Sequence, residues 1–154
     1  NLIQILLGLI SIGFVCFDVL KNSFPLEISR MTFNKKIGVF IGISAGFTSF
    51  ISHAGGPPVA LFLLSQKMSK TLYQSTTVIS FWAINIFKVV PYSFLGFFTW
   101  ETIKIDILLA PIAIFGTIAG AHVHKIIPES LFFIFTYILL FLAGTKLLCD
   151  GILT

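Results

Sequence analysis

Charge is what this sequence has least of. Only 10% of its 154 residues are charged, 10 Lys and Arg against 6 Asp and Glu. A soluble domain carries about 25%, so these residues cannot coat a water-facing surface, and an ordinary soluble domain is excluded. Cysteine is equally sparse. Cys16 and Cys149 sit in apolar segments near opposite ends of the chain, which gives neither a disulfide framework nor a thiolate metal spacing. Both thiols are expected to be buried. The acids are too scattered for a carboxylate pair, and no Ser/His/Asp arrangement emerges, so an enzyme reading has little chemistry to work with. No basic arm and no aromatic-basic surface accompanies the net charge of +4, which sets nucleic acid aside. His122 and His124 are two apart and point to different helix faces. They are expected at an interface beside Lys125 rather than around a metal. Neither a metal nor a cofactor is expected, and nothing at the N-terminus resembles a cleavable signal.

What the chain does have is apolar surface. Hydrophobic residues make up 56%, with 18 phenylalanines, and the mean hydropathy is +1.02. The bilayer is therefore the expected solvent. Five apolar blocks can be read: residues 2–20, 37–65, about 72–98, 105–121 and about 130–148. Residues 21–36 form a polar connection with Lys21, Glu27, Arg30, Lys35 and Lys36, and with Pro25 and Asn34 as turn residues. The blocks are too long and too evenly apolar for barrel strands, which alternate. The expected fold is an all-α integral membrane protein, a polytopic bundle with one broken helix. Tyr73 and Trp100 fall at block ends, where interfacial aromatics belong. Gly38, Gly42 and Gly46 share one helix face, as do Gly116 and Gly120, and both faces are expected to pack closely on other helices. Asn1 opens directly on an apolar run, and preceding membrane segments are expected beyond this sequence.

The break is "SHAGGPP", residues 52–58, in the middle of the second block. In hydrocarbon an unsatisfied backbone group costs several kcal/mol, so such a break is tolerated only against protein or a wet cavity. Gly55 and Gly56 are expected to permit the sharp turn. Pro57 and Pro58 end one helix and open the next. The N-terminus of that short helix would carry partial positive charge and free N–H groups, a natural anion site. Ser52 and His53 would add side-chain donors. A plain kink stabilised by neighbours is the structural alternative.

Lys88 is the second clue. It lies in "SFWAINIFKVVPYSFLG", about ten residues before the next connection. A lysine near the bilayer centre costs at least ~2.5 kcal/mol. Asn85 shares its face, and Pro91 frees a nearby carbonyl. No acid lies in the same block. Asp18, Asp106 and Asp150, at the ends of other blocks, are the candidate partners if the lysine is structural. Ser75, Thr76 and Thr77 either cap this helix or face the cavity. The expected substrate-binding set is Lys88, Asn85, Ser52, His53, Gly55, Gly56 and Thr76.

These residues carry a resemblance. "GISAGFTSFISHAGGPPVALFLL", "QSTTVISF", "NIFKVVPY" and "GTIAGAHVHKIIPE" resemble the TauE/SafE sulfite exporter-like family, also called the toluene sulfonate uptake permease family, from Gly38 to about Asp150. The resemblance implies a polytopic transporter of about eight segments, built as two related halves in a bacterial cytoplasmic membrane. Residues 1–36 would hold the last helix of a preceding repeat plus a linker, and residues 37–154 the C-terminal repeat. The implied partners are a small anion such as a sulfur oxyanion or organosulfonate, the lipid bilayer and the N-terminal half of the same protein; an oligomer is compatible with this reading. A membrane-embedded enzyme and a structural subunit of a membrane complex are the rival classes. The first needs a convergent nucleophile and base, and the second no buried cation.

Topology has two readings. If residues 37–65 cross once, Lys21, Arg30, Lys35, Lys36, Lys104 and Lys146 face Lys67, Lys70 and Lys125. If "SHAGGPP" is the tip of a re-entrant hairpin, Lys67, Lys70 and Lys125 join the first four, and only Lys104 and Lys146 lie opposite. The positive-inside rule leans toward the hairpin, and its unequal arms weaken that preference.

Overall fold

The structure, a computed structural model, describes residues 2–23 and 34–153. Pro25, Glu27 and Arg30 lie outside the described residues. The described chain is helical throughout: α1 (Leu2–Ser23), α2 (Lys35–Ser52), α3 (Gly56–Ser65), α4 (Lys70–Phe94), α5 (Trp100–Ile126) and α6 (Glu129–Leu153). Among the described residues, four stretches are long and apolar enough to cross a membrane: Leu2–Leu20 and the whole of α4, α5 and α6. This is an all-α membrane bundle. Its helices start where polar side chains cap them. Asn34 accepts from the Lys36 N–H at 2.9 Å, and Ser69 accepts from the Leu72 N–H. Thr99 and Thr102 form a reciprocal capping box. That box starts α5 at Trp100, so most of the stretch between the expected blocks 72–98 and 105–121 is its first turn. Correspondingly, α4 ends at Phe94, and Gly96, at φ +73°, makes the left-handed turn between them.

Neighbouring helices define two ends of the bundle. α1 and α6 are antiparallel: Tyr137 donates to Asp18 at 2.6 Å, while Gly8 backs onto Gly144 and Leu148. A methyl group at Gly8 would lie 2.7 Å from the Gly144 carbonyl oxygen, so the two backbones approach closely here. At one end the Lys70 ammonium donates to the His124 and Ile127 carbonyls at 2.8 and 2.6 Å, capping the C-terminus of α5. The core forms around the short α3, which touches α1, α2, α4 and α6. Val59, Leu63 and Leu64 of α3 are buried there with Ala45, Tyr73 and Leu140.

α3 folds back along α2. Phe62 reaches Gly38, near the start of α2, while Gly55 lies against Ala45 and Ser49, near its end. The two helices are therefore arms of a hairpin whose tip is residues 53–55. Both arms open at the same end as Lys67, Lys70 and Lys125, and α2 begins there with Lys35 and Lys36. Lys104 and Lys146 lie toward the opposite end. Between the two readings left open by the sequence, the geometry takes the re-entrant hairpin.

Several expectations change. Tyr73 turns inward against Phe132 and Phe133 instead of marking an interface. Cys16 and Cys149 are exposed rather than buried. Among the described residues, nothing approaches a methyl placed at Gly42, Gly46, Gly116 or Gly120. These four positions are open, and only Gly38 of the expected faces meets a neighbour, Phe62; α5 buries no side chain at all. The accessible surface is 10946 Å², against about 7,700 Å² for a compact soluble protein of this mass.

Candidate anion-binding groove

An open groove of about 720 Å³ runs between α2, α3 and α4. The glycine face of α2 forms one wall, with Gly38, Gly42 and Gly46. The other is a face of α4 on which Thr76, Ser80 and Lys88 recur at helical spacing. Apolar side chains such as Ile41, Phe47 and Phe87 complete it. Among the described residues, Lys88 is its one cationic lining residue. Thr76 and Lys88 are twelve residues apart, ~18 Å along the helix, so the polar groups form a ladder toward the hairpin tip.

At the tip, the break in the helix is sealed from α4. α2 ends at His53, which stands in the left-handed region with φ 51°. The His53 and Ala54 N–H groups return to the Ser49 and Thr48 carbonyls at 3.2 and 3.3 Å. The Lys88 ammonium then donates to the Ser49 carbonyl at 3.1 Å and to the Ser49 hydroxyl at 3.2 Å. The Tyr92 hydroxyl donates to the Phe50 carbonyl at 3.2 Å. These carbonyls belong to the last turn of α2, where its dipole is negative; the Ser49 carbonyl already accepts from the His53 N–H, and Lys88 adds a second donor to it. A cation placed there is favoured twice over, by the dipole and by the Tyr92 ring, which lies 5.1 Å from it. Among the described residues no carboxylate pairs with Lys88. Asp18 is bonded to Tyr137, Asp150 to Lys146 at 2.9 Å, and Asp106 is exposed on α5. Lys88 also stands nearer a helix end than expected, six residues before Phe94.

The glycines act differently from their expected part. His53, not glycine, takes the left-handed turn, while Gly55 has φ −75° and ψ −15°. Gly55 is there for space: a methyl on it would lie 2.8 Å from Ser49 Cβ and 2.9 Å from the Ala45 carbonyl oxygen. Gly56 begins α3, followed by Pro57 and Pro58, which have no N–H to offer. The N-terminus of α3 is thus poorer in donors than the sequence suggested.

Of the expected set, the groove gathers Lys88 and Thr76. His53 stands beside the tip cluster, its ring 6.3 Å from that of Tyr92. Gly56 faces a smaller cleft of about 260 Å³ between α3, α4 and α6. Ser52 is half-buried, Gly55 is buried under α2, and Asn85 is exposed; none of these three lines the groove. Thr77 faces the smaller cleft, and Ser75 is exposed. Sequence reasoning passed over Ser49, Ser80 and Tyr92. Ser80 was findable from its place between Thr76 and Lys88 on one face. Ser49 and Tyr92 depend on the hairpin and carry no local signal.

Comparison with curated proteins and with solved structures returns no match. The sulfite exporter TauE/SafE family matches over residues 1–147, which takes in α1 as well as the stretch whose motifs carried the resemblance. The chain belongs to the sulfite exporter TauE/SafE family, a family of membrane transporters.

Proposed function

We propose that this chain moves a small anion, a sulfur oxyanion or organosulfonate, along the groove between α2 and α4, with Lys88 as its counter-charge. One observation carries the reading: a single ammonium, free of any carboxylate among the described residues, lines a largely apolar groove in a membrane bundle. In such surroundings a cation attracts an anion far more strongly than in water. Thr76 lines the groove and supports a role in the route, with Ser80 beside it. For Asn85, Ser52, His53, Gly55 and Gly56 the support is nearness to the groove or tip alone.

We propose further that residues 37–154 act as one repeat beside a second membrane unit, the N-terminal half, in a cell membrane. The open groove and the uncovered α5 support this. The lysines gathered at the hairpin's open end support a cytoplasmic position for that end.

Lys88→Gln tests the counter-charge. It keeps an N–H donor for Ser49 and removes the charge. In the full-length protein, sulfite transport should fall about a hundredfold, since losing one partner of a buried ion pair costs ~3 kcal/mol. Membrane insertion should be unchanged. Transport at the wild-type rate would show that Lys88 serves the hairpin alone.

A further inference from the structure

We propose that Ser49, which stands behind Lys88 and outside the groove lining, is the second donor of the anion site: an anion that reaches Lys88 from the groove takes one hydrogen from the ammonium and one from the Ser49 hydroxyl. The inference rests on the reading of Lys88 as counter-charge. An ammonium has three N–H donors and no acceptor. Two point at Ser49, one to its carbonyl and one to its hydroxyl oxygen, which leaves one. The Ser49 hydroxyl accepts from Lys88, so its own hydrogen must point elsewhere. Among the described residues that hydrogen has no acceptor, although Ser49 is only 7% exposed. A buried donor left without a partner is costly. Its neighbours on α2 solve the same problem within the helix: Thr48 donates to the Ala45 carbonyl and Ser44 to the Phe40 carbonyl. Ser49 is instead turned toward Gly55 and Lys88, in space that exists because Gly55 has no side chain. The two unspent hydrogens sit on atoms 3.2 Å apart. One oxyanion can accept from both.

The test uses the full-length protein and sulfite as the probe. Transport in proteoliposomes gives KM and maximal rate. Melting with and without sulfite separates binding from folding. Ser49→Ala should leave the ligand-free melting temperature unchanged, because the Ser49 carbonyl still holds Lys88. It should raise KM by about ten- to a hundredfold, the weight of a hydrogen bond to a charged group, and shrink the sulfite-induced rise in melting temperature. Should Ser49→Ala fail to fold, Ser49→Cys, of similar shape and with a weak donor, carries the same KM comparison. A wild-type KM in the variant overturns the proposal. So does a lowered ligand-free melting temperature with the sulfite-induced rise intact, which would make Ser49 a fastener of the hairpin. If Lys88→Gln abolishes transport while Ser49→Ala keeps the wild-type KM, only the Ser49 assignment falls. If Lys88→Gln transports normally, the counter-charge reading falls with it.

Discussion

His53 stands at φ 51° and ψ 22°, a region that histidine, asparagine and aspartate visit more readily than branched residues do. Its main-chain N–H closes the last turn of α2. The residue's first task is therefore conformational. His53→Asn and His53→Gly should keep both melting temperature and sulfite transport, whereas His53→Val should destabilise by about 1–2 kcal/mol. If His53→Asn melts normally but stops transporting, the imidazole has a chemical part in the route. Gly55 and Gly56 separate just as sharply. Gly55→Ala forces a methyl into the Ala45 carbonyl and Ser49 and should cost about 1–3 kcal/mol. Gly56→Ala meets open space at the start of a helix and should be neutral in the same melting assay. The sequence made "GGPP" conspicuous, but it could not say which glycine was indispensable. That depends on residues six and ten positions away, across a turn whose direction is a tertiary fact.

At the scale of elements, the hairpin is the feature most exposed to test. α2 spans ~27 Å and α3 ~15 Å, and they open toward the same end. With Cys16 and Cys149 replaced by alanine, single cysteines at Lys35, Lys67 and Lys125 should react with a membrane-impermeant thiol reagent from one side. A cysteine at Lys104 should react only from the other. Labelling of Lys35 and Lys67 from opposite sides would mean that residues 35–65 cross the membrane once. The long apolar blocks were readable because hydrocarbon forces every backbone group into a helix. Their ends were read less well: Thr99 reaches into what looked like a loop and begins α5 early. The small-residue faces misled in position. Gly8 and Gly144 make the close contact, while the more regular Gly38–Gly42–Gly46 row lines a groove, because periodicity marks a face without naming what lies against it.

For the whole molecule, class and solvent were legible from composition alone, whereas the cluster at the hairpin tip was not, since Ser49 and Lys88 are 39 residues apart. That separation also sets an order in time. A ribosome needs roughly 2–8 s to add 39 residues. Through that interval the last carbonyls of α2 lack the Lys88 and Tyr92 donors that later seal them, and α3, at ~15 Å, cannot span a ~30 Å core by itself. The hairpin should therefore wait at the membrane surface until α4 has been made, and enter the bilayer after a helix that follows it in the chain. Nascent chains stopped at Gln66 should leave a cysteine at Ser52 open to a water-soluble reagent, whereas chains extended through Trp100 should shield it. Equal reactivity in both would mean that the hairpin reaches its depth unaided. On that expectation, biogenesis of this fold runs against the order of synthesis, and a ribosome paused between Ser65 and Lys88 would hold the hairpin tip outside the membrane.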